Sequence, residues 1–193
     1  MSPFVDRLLI PFDKLLAAPL VWRVVDATIM RFAKGLRRRR NQVRIQQLTR
    51  ALTAAGRVQA GPFAGLRYAR FESACSTLLP KLLGTYEQEL APALNQVLAQ
   101  RYDQIIDVGC AEGYYAVGLA LRFPGVPVLA CDINPVALEL CRLNAEANQV
   151  SSQLVLRAAI TPDELARECQ NRRCLIVCDC EGWERDLFSA IDP

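Results

Sequence analysis

The sequence predicts an α/β fold, a parallel sheet covered by helices on both faces and preceded by a basic helical extension. Three observations predict it. From residue 102 onward, short apolar runs at residues 104–108, 126–131, 153–156 and 174–178 alternate with helical segments. Those runs are nearly continuous in apolar residues, as strands buried on both faces require. The charge is also split: residues 1–50 carry 11 Lys and Arg against 3 Asp, and the remainder carries 12 against 17 acids. The expected organisation is a basic helical extension over 1–55, turns and helices over 56–101, and the sheet domain over 102–193.

Residues 3–34 read as helix broken near Pro11 and Pro19, with Val21, Val24, Val25, Thr28, Ile29 and Phe32 at spacings of three and four. The run Arg37, Arg38, Arg39, Arg40 opens a second helical stretch to about Ala55. Gly56, Gly61-Pro62 and Gly65 mark turns or a short hairpin over 56–68. Residues 76–100 read as two helices split near Gly84, the second carrying Tyr86, Leu90, Leu94, Val97 and Leu98. A helix over 113–122 follows the first strand. The second strand ends at Asp132. Asn134 then serves as N-cap and Pro135 as first helical residue of a segment reaching about Asn148, with Ala137, Leu138, Cys141 and Ala145 on one face. Thr161-Pro162-Asp163-Glu164 is a capping box opening a helix to about Gln170. The fourth strand ends at Asp179.

Composition excludes several classes. Hydrophobic residues make up 52% and charged residues 22%, a globular composition. The longest uncharged stretch, residues 90–100, has 11 residues, against the roughly 20 apolar residues of a membrane-spanning helix. Asp6, Arg7, Asp13 and Lys14 interrupt any secretory h-region, so a cytoplasmic location is expected. The chain has no histidine, which excludes Ser-His-Asp and Cys-His chemistry within it. Its eight cysteines, Cys75, Cys110, Cys131, Cys141, Cys169, Cys174, Cys178 and Cys180, read as reduced thiols, several of them in apolar strand-like runs. The last four lack a paired C-x-x-C, so no metal site is expected.

Residues 105–113, Ile-Ile-Asp-Val-Gly-Cys-Ala-Glu-Gly, form a strand, a glycine turn and a helix start. Gly109 permits a tight turn, and Gly113 is read as letting a ligand approach the helix N-terminus. Asp132, 19 residues after Gly113, stands where a carboxylate accepts hydrogen bonds from ribose hydroxyls. A dinucleotide fingerprint fails, because Ala111 and Tyr114 occupy its second and third glycine positions. Asp107 and Glu112 flank the turn and would repel a pyrophosphate, whereas a cationic ligand containing adenosine is acceptable there.

Asp107-x-Gly109-x-x-x-Gly113 resembles the first motif of class I S-adenosylmethionine (SAM)-dependent methyltransferases, and Asp132 resembles their ribose-binding acid. Asp179-Cys180-Glu181-Gly182-Trp183-Glu184 resembles the D-x-E-G-x-E signature of the FkbM-type members, which mostly O-methylate hydroxyls of sugars and other small metabolites. The resemblance covers roughly residues 84–189. It implies a Rossmann-like sheet and SAM as cofactor. Asp107, Gly109, Cys110, Ala111 and Gly113 would line its methionine part, Asp132 would hold the ribose and Ile133 would pack on adenine. Asp179 and Glu181 would face the transferable methyl as catalytic carboxylates. Glu181 and Glu184 also read as the acids that enrich a helix N-terminus, and Cys180 as a packing residue.

Two departures stand out. The acid that often follows the third strand to bind adenine is replaced by Arg157-Ala158-Ala159-Ile160. Only four strands are readable, where the family's order is 3-2-1-4-5-7-6, so an incomplete sheet with an exposed fourth strand is expected. Such an edge invites homo-oligomerisation. A rival reading is therefore a non-catalytic or truncated module that binds SAM or a partner. The expected acceptor is the hydroxyl of a glycan or metabolite. The Arg run alone points to nucleic acid, and the absence of an Asn/Asp-Pro-Pro-aromatic motif after the fourth strand argues against it. The basic residues 1–50 are expected either to be a solvated helix pair or to touch an anionic membrane surface.

Overall fold

The computed structural model describes residues 19–72 and 77–190; the expected break at Pro11 and the residue Cys75 lie outside them. The chain divides into two compact units, Met1–Thr49 and Arg50–Pro193. Helix α1, Pro19–Ala55, is one continuous helix of 37 residues. The expected interruption before Arg37 is absent. A single glycine, Gly35, costs a helix only about 1 kcal/mol, and Ala33, Lys34, Leu36 and the arginines around it all favour helix. On this element Ile29, Phe32, Leu36 and Val43 are exposed.

In the second unit a bridge between Arg57 and Arg67 closes an antiparallel turn over the expected hairpin. Phe63 from that turn lies beneath helix α4, Tyr114–Arg122. Gly118 of α4 makes room for it: a Cβ there would stand 2.5 Å from the Phe63 ring. The ring meets Tyr114 edge-on at 5.2 Å. Helix α2, Leu78–Leu83, ends at Gly84 in the left-handed conformation. A turn follows, then a 3-10 turn at Gln88–Leu90 and helix α3, Ala91–Leu98. Tyr86 therefore sits in the turn and not, as expected, on the second helix.

The sheet contains β1 Gln104–Val108, β2 Val128–Cys131, β3 Leu154–Arg157 and β4 Cys174–Cys178. All are parallel, in the order β3-β2-β1-β4. The order is that of the first half of a Rossmann-like methyltransferase sheet. Strand β2 begins two residues later than the apolar run, because Pro127 has no N–H to give the ladder; its carbonyl instead accepts from Ile105 N at 2.9 Å. Alternate residues feed two cores. Ile105, Val128 and Ala130 pack with Ala116, Val117 and Leu119 of α4. On the other face Ile106, Val108 and Leu129 pack with Leu165 and Leu187. Leu165 comes from helix α6, Pro162–Cys169, and Leu187 from the short helix α7, Glu184–Leu187.

Both helix starts read from the sequence are built as expected. Helix α5, Pro135–Ala147, is capped by Asn134 Oδ1, which accepts from Val136 N at 3.0 Å. The Thr161–Glu164 capping box opens α6 with both reciprocal bonds present.

Candidate active site

The carboxyl ends of β1, β2 and β4 open into one cavity of about 710 Å³. It is bordered by Asp107, Gly109, Cys110, Ala111, Asp132, Ile133, Asp179 and Glu181, so eight of the nine expected site residues meet at one place. The ninth, Gly113, does not border it. A Cβ on Gly113 would stand 2.6 Å from Cys141 Sγ and 3.0 Å from Val117 Cγ2. Gly113 lets α4 pack against α5, so its role is helix packing and not ligand approach.

The glycine turn runs through three left-handed residues, Gly109, Ala111 and Gly113. Ala111 carries a Cβ penalty there of about 1–2 kcal/mol. Asp132 offsets it: Oδ2 accepts from Ala111 N at 2.8 Å, and Oδ1 accepts from Asn134 N at 2.8 Å. Asp132 thus braces the turn after β1 and the turn after β2, and each of its oxygens keeps a second lone pair for a ligand. Ile133 beside it is 86% exposed.

Asp107 is buried at the centre of the sheet. It accepts from the backbone N–H of Ala116, while its Oδ2 is buried without a hydrogen-bond partner. Burial, with smaller contributions from Asp132 and Asp179, pushes its carboxyl up to about 7. A buried acceptor left open at a cavity wall is costly unless a donor completes it, and a cationic donor is the best match to a carboxylate held there. Cys110 is buried against Cys141, and the hydrogen bond between them, with burial, pushes the Cys110 thiol upward.

At the far wall, Gly109 touches the end of β4. A Cβ on it would lie 1.9 Å from the Asp179 carbonyl oxygen. Asp179 N donates to Val108 O at 2.9 Å, and its side chain is exposed at the cavity rim. Glu181 and Gly182 turn the chain back through positive φ. Glu184 Oε1 then accepts from Cys180 N at 2.8 Å. Backbone N–H donors at Glu184 itself and at Cys180 hold that carboxyl below its ordinary range. Glu184 fastens the turn, while Asp179 and Glu181 border the cavity.

Sequence reasoning missed the N-terminal wall. Lys81 on α2 donates to Glu112 Oε1 at 2.5 Å, with the two side chains 4% and 0% exposed. Its ammonium also lies 4.8 Å from the Tyr86 ring centre. Glu112 therefore points inward, neutralised by Lys81, and of the two acids flanking the turn only Asp107 faces the cavity. The available signal was a lysine inside the apolar run Leu78-Leu79-Pro80-Lys81-Leu82-Leu83.

Residues 89–178 match the family model described as the methyltransferase small domain. The release factor glutamine methyltransferase of Dictyoglomus turgidum is 32% identical over 62 residues, 32% of this chain and 22% of that protein. Its counterpart from Chlorobaculum tepidum is 46% identical over 50 residues, 26% of this chain and 17% of that protein. The matches thus span about a fifth of those relatives' length. The O-methyltransferase from Bacillus cereus, solved in complex with SAH, aligns over 77% of this chain and 61% of its own, with 14% identity and a TM-score of 0.38. The match over 89–178, just under half of the chain, makes this segment similar to the methyltransferase small domain, and its β3-β2-β1-β4 order is that of a Rossmann-like sheet.

Proposed function

We propose that this chain binds SAM in the cavity described and carries out O-methylation of a hydroxyl on a sugar or other small metabolite. The buried, partnerless Oδ2 of Asp107 at the cavity wall carries the reading. Bound SAM supplies an electrophilic methyl on its sulfonium. Asp107 accepts from its ammonium, Asp132 from its ribose hydroxyls, and Ile133 covers the adenine. Cys110 and Ala111 line the methionine part between them. No acid stands after β3, so backbone groups near Ala158 and Ala159 meet the adenine amino group. Asp179 takes the proton of the acceptor hydroxyl as the oxygen attacks, with Glu181 beside it. Two carboxylates at the strand tip favour a hydroxyl acceptor, which must lose a proton as it reacts. The curated relatives are named for methylating proteins, and this chain matches them over about a fifth of their length.

The test is SAM calorimetry across pH. A carboxyl at about 7 must ionise before it pairs with an ammonium. Affinity is therefore expected to rise as pH increases through 7, by about tenfold per unit below it. It levels off above 7, then falls above about 8 as the free ligand's amine loses its proton. Asp107→Asn should weaken binding and flatten the acid limb. Equal affinity in wild type and variant, with no acid limb, would remove Asp107 from the site. With binding established, methyl transfer to hydroxyl-bearing sugars supports the O-methyl reading. Transfer only to protein amides would overturn it, and binding without transfer to any acceptor would make the chain a SAM-binding module.

Residues 1–50 carry a second reading, contact with an anionic membrane surface. Ile29, Phe32, Leu36 and Val43 recur at helical spacing and are exposed on α1, beside four consecutive arginines. Near an anionic surface each Arg contributes about 1 kcal/mol, screened by salt. Changing Arg37, Arg38, Arg39 and Arg40 to Ala is expected to cut co-sedimentation with phosphatidylserine vesicles at least tenfold at low salt. Wild-type protein that stays in the supernatant would leave α1 a solvated helix.

A further inference from the structure

We propose that Cys178, Cys180 and Glu184 form a binding site for a thiophilic divalent cation of the zinc class, at the edge of the loop that carries Asp179 and Glu181. The spacing alone argues against it, since the motif is C-x-C and not C-x-x-C. Two residues apart on a regular strand, the side chains would rise from one face about 6.6 Å apart. Here the two sulfurs are 3.5 Å apart. They converge because Cys178 is the last residue of β4, while Cys180 lies in the reversal that leads through positive φ at Glu181 and Gly182.

The same reversal brings back a third ligand. Glu184 starts α7, and its carboxylate is already fixed by Cys180 N at 2.8 Å. The two sulfurs and a carboxylate oxygen all lie within 4.8 Å of one another. A tetrahedral zinc with Zn–S of about 2.3 Å holds two thiolates about 3.8 Å apart, with a carboxylate oxygen at about 2.0–2.2 Å from the metal. Small side-chain rotations close that geometry. Holding a ligating carboxylate by a backbone N–H is the kind of outer contact that metal sites use. Among the described residues no Lys or Arg forms an ion pair with Glu184, so its charge is available to a cation.

All three residues are half-buried, which leaves a fourth position open to water. Two metal–sulfur bonds and one metal–oxygen bond form, both thiol protons pass to solvent, and nothing is oxidised or reduced. The other thiol pairs differ. Among the described residues neither Cys110 with Cys141 nor Cys169 with Cys174 has a carboxylate placed as a third ligand. A metal here ties the end of β4 to the start of α7 and restrains the turn between Asp179 and Glu181. Cys180 also borders the cavity that holds Asp179 and Glu181; metal uptake is measured with SAM absent, so its outcome does not depend on the proposed function.

The experiment is titration of the reduced, metal-stripped chain with Cd²⁺, followed by its thiolate charge-transfer absorption, and with Zn²⁺ against a chromophoric chelator. One saturable equivalent is expected. Cys178→Ser and Cys180→Ser should each weaken it more than about 100-fold, and Glu184→Gln by about 10-fold. Cys169→Ser and Cys174→Ser should leave it unchanged. Circular dichroism checks each variant; should Cys178→Ser not fold, Cys180→Ser in the turn gives the answer. Absence of a saturable equivalent in wild type overturns the proposal. So does undiminished uptake in the folded Cys180→Ser variant, or loss of uptake in Cys169→Ser instead.

Discussion

Lys81→Met is expected to destabilise the fold by about 3–5 kcal/mol, the cost of removing one partner of a buried ion pair. For a chain of this size that lowers Tm by roughly 6–20 °C. Both side chains are buried, with Lys81 at the cavity wall. Lys81 Nζ meets Glu112 Oε1 at 2.5 Å, and the rings of Tyr86 and Tyr114 stand 4.8 and 5.7 Å from the ammonium. The Glu112 backbone carbonyl also accepts from Asn144 Nδ2 at 2.9 Å. Removing the lysine takes from the buried Glu112 carboxylate the cation that balances its charge. Making both partners apolar removes the buried carboxylate charge as well, so Lys81→Met with Glu112→Leu is expected to recover most of the loss. Thermal unfolding of the wild type, both single variants and the double variant measures this cycle. If Lys81→Met melts with the wild type, the ion pair contributes nothing and α2 is held to the glycine turn by apolar contacts alone.

The Lys81–Glu112 pair also shows where sequence reading stops. The strands, the Asn134 cap and the Thr161–Glu164 box were legible because each depends on residues a few positions apart. So was the gathering of Asp107, Asp132 and Asp179, since parallel strands bring their carboxyl ends to one edge. The departures are long-range. Lys81 and Glu112 are 31 positions apart, and no periodicity links them. Gly113 looked like a ligand-approach glycine because it stands where a glycine turn opens a helix; only the packing of α5 places Cys141 against it. The convergence of Cys178 with Cys180 depends on a reversal at Glu181, where a residue with a Cβ adopts positive φ, which composition does not announce. The resemblance to D-x-E-G-x-E likewise located an acid-rich loop without distinguishing Glu184, which fastens the turn, from Asp179 and Glu181, which border the cavity.

Gly109→Ala is expected to damage fold and site together. A Cβ at that position would lie 1.9 Å from the Asp179 carbonyl oxygen and 2.8 Å from its carbon, both backbone atoms that no side-chain rotation moves aside. The residue also has φ +84, which costs a residue with a Cβ about 1–2 kcal/mol by itself. Relief requires the end of β4 to move away from the end of β1. That strains the bond from Asp179 N to Val108 O and draws Asp179 off the cavity rim. Forcing such a shift costs about 1–3 kcal/mol more, so a total loss of about 2–5 kcal/mol is expected. On the proposed reading SAM affinity falls at least tenfold as well, because the turn that would hold its methionine part moves with Gly109. Gly125→Ala separates the two costs. Gly125 has nearly the same backbone, φ +83, with nothing within 4 Å of a built Cβ, so it should lose only the conformational share of about 1–2 kcal/mol and keep SAM affinity. Denaturant unfolding and calorimetry on both variants decide the matter. If Gly109→Ala is no less stable than Gly125→Ala and binds SAM equally well, the close approach of β4 to the glycine turn does not shape the site.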